Sequence, residues 1–197
     1  MNSQKILKVW VYWWRLNPIH LWHEAVVNKA KKDSDILVFF MGSIDNPQSY
    51  RHFFPADKRE ALIRKVYPDA IIIRIPDTYT PWANEKENDA IWVKSLDALI
   101  DQAVPWDKEV TFYGWCEEDV AFFLEAGKKV AFMNRFDGTT PPISATEVRD
   151  FLIGLETTEP NPEIRKLRLR DKNLVNPIIV DDLVDMFSEE WANFKKR

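Results

Sequence analysis

Two histidines three residues apart, His20 and His23, follow an Asn17-Pro18 turn at the head of an apolar, helically spaced run from Leu21 to Lys32. That spacing puts both rings on one face of a helix's first turn. A helix N-terminus offers unpaired N–H groups and the positive end of the macrodipole, which favour phosphate. Two imidazoles added there can donate hydrogen bonds to phosphates and stabilise charge developing in a transition state. Phosphoryl-type transfer needs positioning and charge stabilisation more than covalent help. The same pair could instead cap the helix or ligate a metal. Zinc is not expected, because one further histidine, His52, and one cysteine, Cys116, are left to complete a site. No metal is expected on protein side chains. Ser144 and Glu147 read as a capping box, a hydroxyl at a helix start with an acid three residues on.

The elements that must position these groups alternate. Lys8–Trp14, Asp35–Met41, Ala70–Ile75, Glu109–Tyr113 and Lys129–Met133 read as strands, short and rich in β-branched or aromatic residues. Between them, Leu21–Lys32, Pro55–Tyr67, Asn88–Gln102 and Glu117–Ala126 have helical spacing, and Ser144 opens another helix. In the third of these, Ile91, Leu96, Leu99 and Ile100 are the expected inner face. Pro76–Glu87 reads as a loop, Asn161–Pro177 as a charged linker, and Val180–Phe194 as an amphipathic C-terminal helix. This alternation predicts an α/β fold, a Rossmann-like parallel sheet with helices on both faces. A domain over residues 1–157 would carry a linker and helical appendage over 158–197. Ligands of such sheets sit beyond the carboxyl ends of the strands. The end of the first strand, the Gly42-Ser43 turn, Gly114 and the Ser144 helix start should therefore converge.

Bulk properties narrow the partners. The chain has 197 residues and a net charge of −4, which gives no general attraction to nucleic acid or to anionic membranes. A single cysteine excludes a disulfide within the chain and suits a cytoplasmic setting. No signal peptide or membrane-spanning stretch is expected. Nine tryptophans and twelve phenylalanines stand against five glycines, none of them before Gly42.

Five stretches together resemble the nicotinamide mononucleotide adenylyltransferase branch of the HIGH-motif nucleotidylyltransferases. Trp14-Arg-Leu-Asn-Pro-Ile-His-Leu-Trp-His23 matches Gly-Arg-Phe-x-Pro-x-His-x-Gly-His at Arg15, Pro18, His20 and His23. The others are Gly42-Ser43, Asn46 to Arg59, Asn88 to Trp92, and Ile143-Ser-Ala-Thr-Glu-Val-Arg149. In the loop stretch Arg59 and Glu60 stand in reversed order. The resemblance implies transfer of the AMP of ATP to a nucleotide phosphate, with Mg²⁺ accompanying ATP and pyrophosphate released. It implies a catalytic role for His20, His23 and Arg149, and nucleotide contacts from Arg15, Gly42, Ser43, Ser144, Thr146 and Trp92. Trp82 and Trp92 are similar to an aromatic wall for nicotinamide, although core packing explains Trp92 as well. Asp119 corresponds to the acid of a Gly-His-x-x-Asp pattern in which Trp115 replaces the histidine, and a solvated helix-start acid explains it equally.

Both motif glycines are tryptophans, Trp14 and Trp22, and Leu16 holds the Phe position. Trp13 and Trp14 must face opposite sides of their strand. Each indole carries roughly 200 Å² of buriable surface, so two or three could fill an ATP site. Three readings follow. The enzyme is active and one indole stacks on adenine. Or the site has been reshaped, by divergence or engineering, into an aromatic surface of Trp13, Trp14, Trp22 and Trp115 that impairs catalysis and takes an apolar small molecule, a protein partner or a second copy. Or the tryptophans are ordinary core.

Overall fold

The computed structural model describes residues 5–77, 83–114, 116–132, 138 and 140–196. Five parallel strands form one sheet: β1 (Leu7–Trp14), β2 (Ile36–Met41), β3 (Ile71–Arg74), β4 (Lys108–Gly114) and β5 (Lys129–Phe132). Their order, β3-β2-β1-β4-β5, reverses between β1 and β4. The chain therefore leaves a crevice at the carboxyl ends of the two central strands, where a doubly wound sheet binds its ligand.

Side-chain alternation divides the core. Trp10, Tyr12 and Trp14 of β1 face one cluster with Leu37, Phe39 and Met41 of β2. Val9, Val11 and Trp13 face the other with Val38 and Phe40. The first layer is covered by α1 (Leu21–Lys31), α2 (Ala56–Val66), α5 (Ala145–Thr158), α6 (Pro162–Lys172) and α7 (Val180–Phe194). The second is covered by α3 (Glu85–Ala103) and α4 (Glu117–Glu125). Among the described residues, no helix is long and apolar enough to cross a membrane.

Three local expectations are corrected. Helix α3 begins inside the stretch read as a loop. The Asn84 side chain accepts from Glu87 N, and Glu87 Oε2 accepts from Asn84 N, both at 2.9 Å. That reciprocal cap is legible as Asn-x-x-Glu. Ile91 is 50% exposed, not inward, because the buried stripe is Val93, Leu96 and Ile100, and Ile91 lies about 200° around the helix from Val93. The expected linker is largely α6, capped by Asn161, opened by Pro162 and ended by Asn173 in the left-handed region. Its charge hid it, since Leu169 is its one fully buried side chain. Leu174, Val175 and the turn Pro177–Ile179 then lead into α7 within the same apolar cluster as α1 and α2.

Two positions give testable consequences. A Cβ on Gly114 would lie 2.5 Å from Val120 Cγ1 and 3.3 Å from Asp119 Cβ, so glycine allows α4 to start against the end of β4. Gly114→Ala should cost about 1–3 kcal/mol in urea unfolding, and an unchanged midpoint would refute that close approach. Glu24 of α1 is buried; its Oε2 accepts from Asn176 Nδ2 at 2.7 Å, while Oε1 lacks a hydrogen-bond partner. Burial pushes its carboxyl up, against the Asn176 hydrogen bonds. A raised folded-state value favours the protonated acid, so its stabilisation holds at low pH and is lost as pH rises through that value. Glu24→Gln should therefore gain melting temperature over wild type between pH 4 and pH 8. A pH-independent difference would contradict this sign.

Candidate active site

Strand β1 ends at Trp14, and the chain turns through Arg15, Leu16 and Asn17 before α1. Leu16 takes a left-handed conformation, φ 51°, and plants its side chain in the core. Asn17 is fixed by a reciprocal pair with Phe54, donating from Nδ2 to its carbonyl (3.3 Å) and accepting from its N–H (3.0 Å). His20 is the N-cap of α1 in extended conformation. His23 Nδ1 accepts from the His20 N–H at 3.2 Å, and the two rings lie 3.8 Å apart. The capping role is real. A neutral His23 that accepts on Nδ1 carries its proton on Nε2.

Beneath this turn lies Arg59 of α2, 2% exposed. Its Nη1 donates to the carbonyls of Arg15 (2.7 Å) and Gly42 (2.8 Å), and its Nη2 to that of Ser43 (2.9 Å). One side chain thus ties the exits of β1 and β2 together. Burial among other cations lowers its guanidinium to about 10. Ser43 is left-handed, φ 54°, and both its N–H (3.1 Å) and its hydroxyl (2.8 and 3.0 Å) donate to the Asp77 carboxylate, which also accepts from Asn46. Burial pushes Asp77 up, but the Ser43 and Asn46 hydrogen bonds and the nearby Arg15 charge prevail and hold it below the usual carboxylate range. A side chain at Gly42 would meet nothing within 4 Å, so that residue borders open space.

The far wall is the start of α5. The Ser144 hydroxyl caps the helix, accepting from Glu147 N at 3.1 Å. Arg149 is 5% exposed; its Nη1 donates to the Asn17 carbonyl, its Nη2 to Thr146 Oγ1 (3.1 Å), and it lies 4.9 Å over the Tyr50 ring. The Tyr50 hydroxyl donates to Asp150. Burial lowers the Arg149 guanidinium. Arg15 is lowered by burial and then by Arg51, with Asp77 opposing.

A cleft of ≈ 770 Å³ unites these groups. His20, His23, Arg149, Arg15, Gly42, Ser43, Ser144, Thr146, Trp92, Trp13, Trp14, Trp22 and Asp119, all singled out from sequence, line it. Trp82 and Trp115 lie outside the described residues. Tyr50, Arg51 and Asp77 were not named beforehand. Asp77 carried a signal, as the first acid beyond the carboxyl end of β3, and Arg51 lay within a motif-like loop. Nothing marked Tyr50.

The tryptophans occupy ordinary backbone at both glycine positions, Trp14 in a strand and Trp22 in a helix. What they change is volume. The Trp14 ring packs on Tyr12 (4.8 Å), Trp22 (5.2 Å) and His23 (5.1 Å), and its Nε1 donates to Asp119 Oδ2 at 3.4 Å. Trp22 is 2% exposed, and the histidines beside it are 1% and 7% exposed. On the opposite side of β1, Trp13 meets Trp92 edge to face at 5.4 Å. The indoles line the cleft without filling it, and they pack against the imidazoles.

A model of the cytidylyltransferase-like family matches residues 12–151. Nicotinamide-nucleotide adenylyltransferase of Methanocorpusculum labreanum is 29% identical over 117 residues, 59% of this chain and 64% of that protein. Two solved structures share the fold. One is a bifunctional NMN adenylyltransferase/ADP ribose pyrophosphatase from Francisella tularensis complexed with AMP and a manganese ion (TM-score 0.61, 15% identity, 97% of this chain and 54% of that one). The other is a NadR protein in complex with NAD and AMP-PNP (TM-score 0.56, 18% identity, 89% of this chain and 47% of that one). The chain spans less than two thirds of the length of each of these three proteins.

The Arg59 bridge is open to a direct test. Arg59→Lys keeps a charge but loses the fork that reaches three carbonyls. It should cost about 2–4 kcal/mol of stability, read from urea unfolding, and a loss under about 0.5 kcal/mol would show that the bridge is dispensable.

Proposed function

The chain belongs to the cytidylyltransferase-like family, and from that membership we propose that it transfers the adenylyl group of ATP to the phosphate of nicotinamide mononucleotide, at a rate held down by Trp14 and Trp22. The observation that carries this reading is the convergence of the His20/His23 pair at the start of α1 with Arg15, Arg51 and Arg149 on one cleft. The named activity of the Methanocorpusculum labreanum relative supplies the acceptor.

In the transfer, a phosphate oxygen of the mononucleotide attacks the α-phosphorus of ATP. The bond from that phosphorus to its bridging oxygen breaks, and pyrophosphate leaves with the electron pair. The chain has no covalent work to do in such a step. Its part is to align the two phosphates and to receive the charge that grows on the leaving group. The His20 and His23 imidazoles, on the cleft at the positive end of α1, suit the α- and β-phosphates. Arg15 and Arg51 at the rim suit the triphosphate tail. Arg149 holds the Asn17 carbonyl in the turn before α1, and so serves the histidines as well as the ligand.

Among the described residues no group of three or more His, Cys, Asp or Glu side chains is placed to hold a metal ion. The cationic lining fits a polyphosphate, so the divalent ion belongs with the substrate as MgATP. It would neutralise charge on the phosphate oxygens, where Mg²⁺ prefers to bind.

The brake follows from burial. His20 at 1% and His23 at 7% exposure line the cleft packed against the Trp14 and Trp22 rings, so on this reading close approach of a phosphate needs those rings to shift. The same aromatic wall supports a second reading, in which the cleft takes an apolar aromatic ligand in place of ATP.

Pyrophosphate release from MgATP and the mononucleotide separates these readings. Wild type should turn over slowly, and His20→Ala/His23→Ala should lower the rate by about 10²–10³-fold. Trp14→Gly, at a half-buried ring, should raise kcat by roughly tenfold, a barrier change of about 1.4 kcal/mol. Absence of product above the double-histidine control, in wild type and Trp14→Gly alike, would remove the adenylyltransferase reading. Capture of an aromatic probe by the same protein would then favour the second.

A further inference from the structure

The family match ends at residue 151, yet the segment beyond it reaches under both sides of the cleft. On the histidine side, Leu21 N at the head of α1 donates to the Leu174 carbonyl at 3.1 Å, and Asn176 holds Glu24. On the other side, Glu190 of α7 is 6% exposed. One of its oxygens accepts from Gln48 Nε2 at 2.8 Å, and the other pairs with Lys58 Nζ at 2.6 Å. The same Gln48 nitrogen donates to the Phe53 carbonyl at 3.1 Å, and Phe53 stacks on Phe187 of α7 at 4.6 Å. Gln48 stands two residues before Tyr50 and three before Arg51, both on the cleft.

A buried carboxylate is expensive unless its oxygens are satisfied. Lys58 does not need Glu190, because the exposed Glu189 already pairs with it at 2.7 Å. What Glu190 adds is Gln48. We propose that Glu190 is a positioning residue, which fixes the loop over residues 44–54 through Gln48 and thereby places Tyr50 and Arg51 against the phosphates of the cleft's ligand. Tyr50 acts one step further, because its ring lies against the Arg149 guanidinium. The inference rests on the nucleotide reading of the cleft. It makes the C-terminal helix part of the binding apparatus although no residue of α7 lines the cleft.

The experiment compares full-length wild type with Glu190→Ala, Glu190→Gln, Gln48→Ala and Glu189→Ala. ATP affinity is read from tryptophan fluorescence, and loop order from hydrogen exchange over residues 44–54 without ligand. Glu190→Ala and Gln48→Ala should weaken ATP about tenfold, the scale of one charged hydrogen bond, and should speed exchange over 44–54. The rise should fall on KM, with kcat at saturating ATP little changed. Glu190→Gln keeps an accepting oxygen for Gln48 and should restore most of the affinity. Glu189→Ala should leave both readouts at the wild-type level. Gln48→Ala removes the link from an accessible loop, so the test survives if Glu190→Ala fails to fold. Unchanged affinity in Gln48→Ala overturns the positioning role, and unchanged exchange overturns the link itself. A wild-type titration without response overturns the nucleotide reading instead, and exchange over 44–54 then decides alone whether Glu190 holds the loop.

Discussion

Under the cleft a guanidinium bonds to three backbone carbonyls in place of a carboxylate. Removing Arg59 from water costs free energy, and lowering its pKa to about 10 is a sign of that cost. The return is geometric. The carbonyls of Arg15, Gly42 and Ser43 belong to two separate strand exits, and the fork gives all three a donor. A neutral donor could satisfy one of them. A planar fork satisfies three and fixes their spacing. Asp77 opposes part of its charge, and the rest adds positive potential below the place where Arg15, Arg51 and the head of α1 face the cleft.

The left-handed residues near the site are Leu16 and Ser43, each one residue beyond a carbonyl that Arg59 holds. Neither is glycine. Their strain, of order 1–3 kcal/mol each, is stabilised by the Arg59 fork, by Asp77 gripping Ser43 and by Leu16 entering the core. The motif glycines, by contrast, map onto Trp14 and Trp22, where strand and helix accept any L-residue. Their loss leaves the backbone unstrained and alters the space above it. Indoles packed on each other and on His23 make a wall that a glycine-bearing site would lack. Trp13 and Trp14 diverge to opposite faces of β1, and both line the cleft of ≈ 770 Å³ that remains beside them.

Much of this was legible in the amino-acid sequence, and the exceptions have physical causes. The alternation of strand and helix patterns carried the parallel sheet, and the switch point followed from it. His20, His23 and Ser144 were visible because helix starts have local chemistry. Pairings between distant residues were not visible, even at Arg149, which was itself named. Gln48 meets Glu190 across 142 positions, and Arg149 meets Asn17 across 132. No periodicity reports such pairings. Helix α6 was missed because its stability comes from caps and ion pairs more than from an apolar stripe. Arg165 pairs with Glu156 and donates to Ser188, and Arg170 pairs with Asp181. The aromatic wall was half legible: the tryptophans at glycine positions announced crowding, but only the packing shows the cleft that remains beside the rings.

Helix α1 carries opposite demands on successive residues. His23 turns to the cleft, while Glu24 turns to the core and to Asn176. An acid in the first turn ordinarily stabilises a helix by answering the positive end of its dipole. On the proposed nucleotide reading, that answer would compete with a phosphate at the same N-terminus. Burial pushes the Glu24 carboxyl up, against the Asn176 hydrogen bonds. Asn176 limits the effect by donating to one oxygen only. The C-terminal segment therefore bears on the first turn of α1 in two ways. Leu174 accepts from the N–H of Leu21 and so takes one of the helix's free donors. Asn176 donates to Glu24, the residue after the second imidazole. The first turn of α1 is thus held from both halves of the chain.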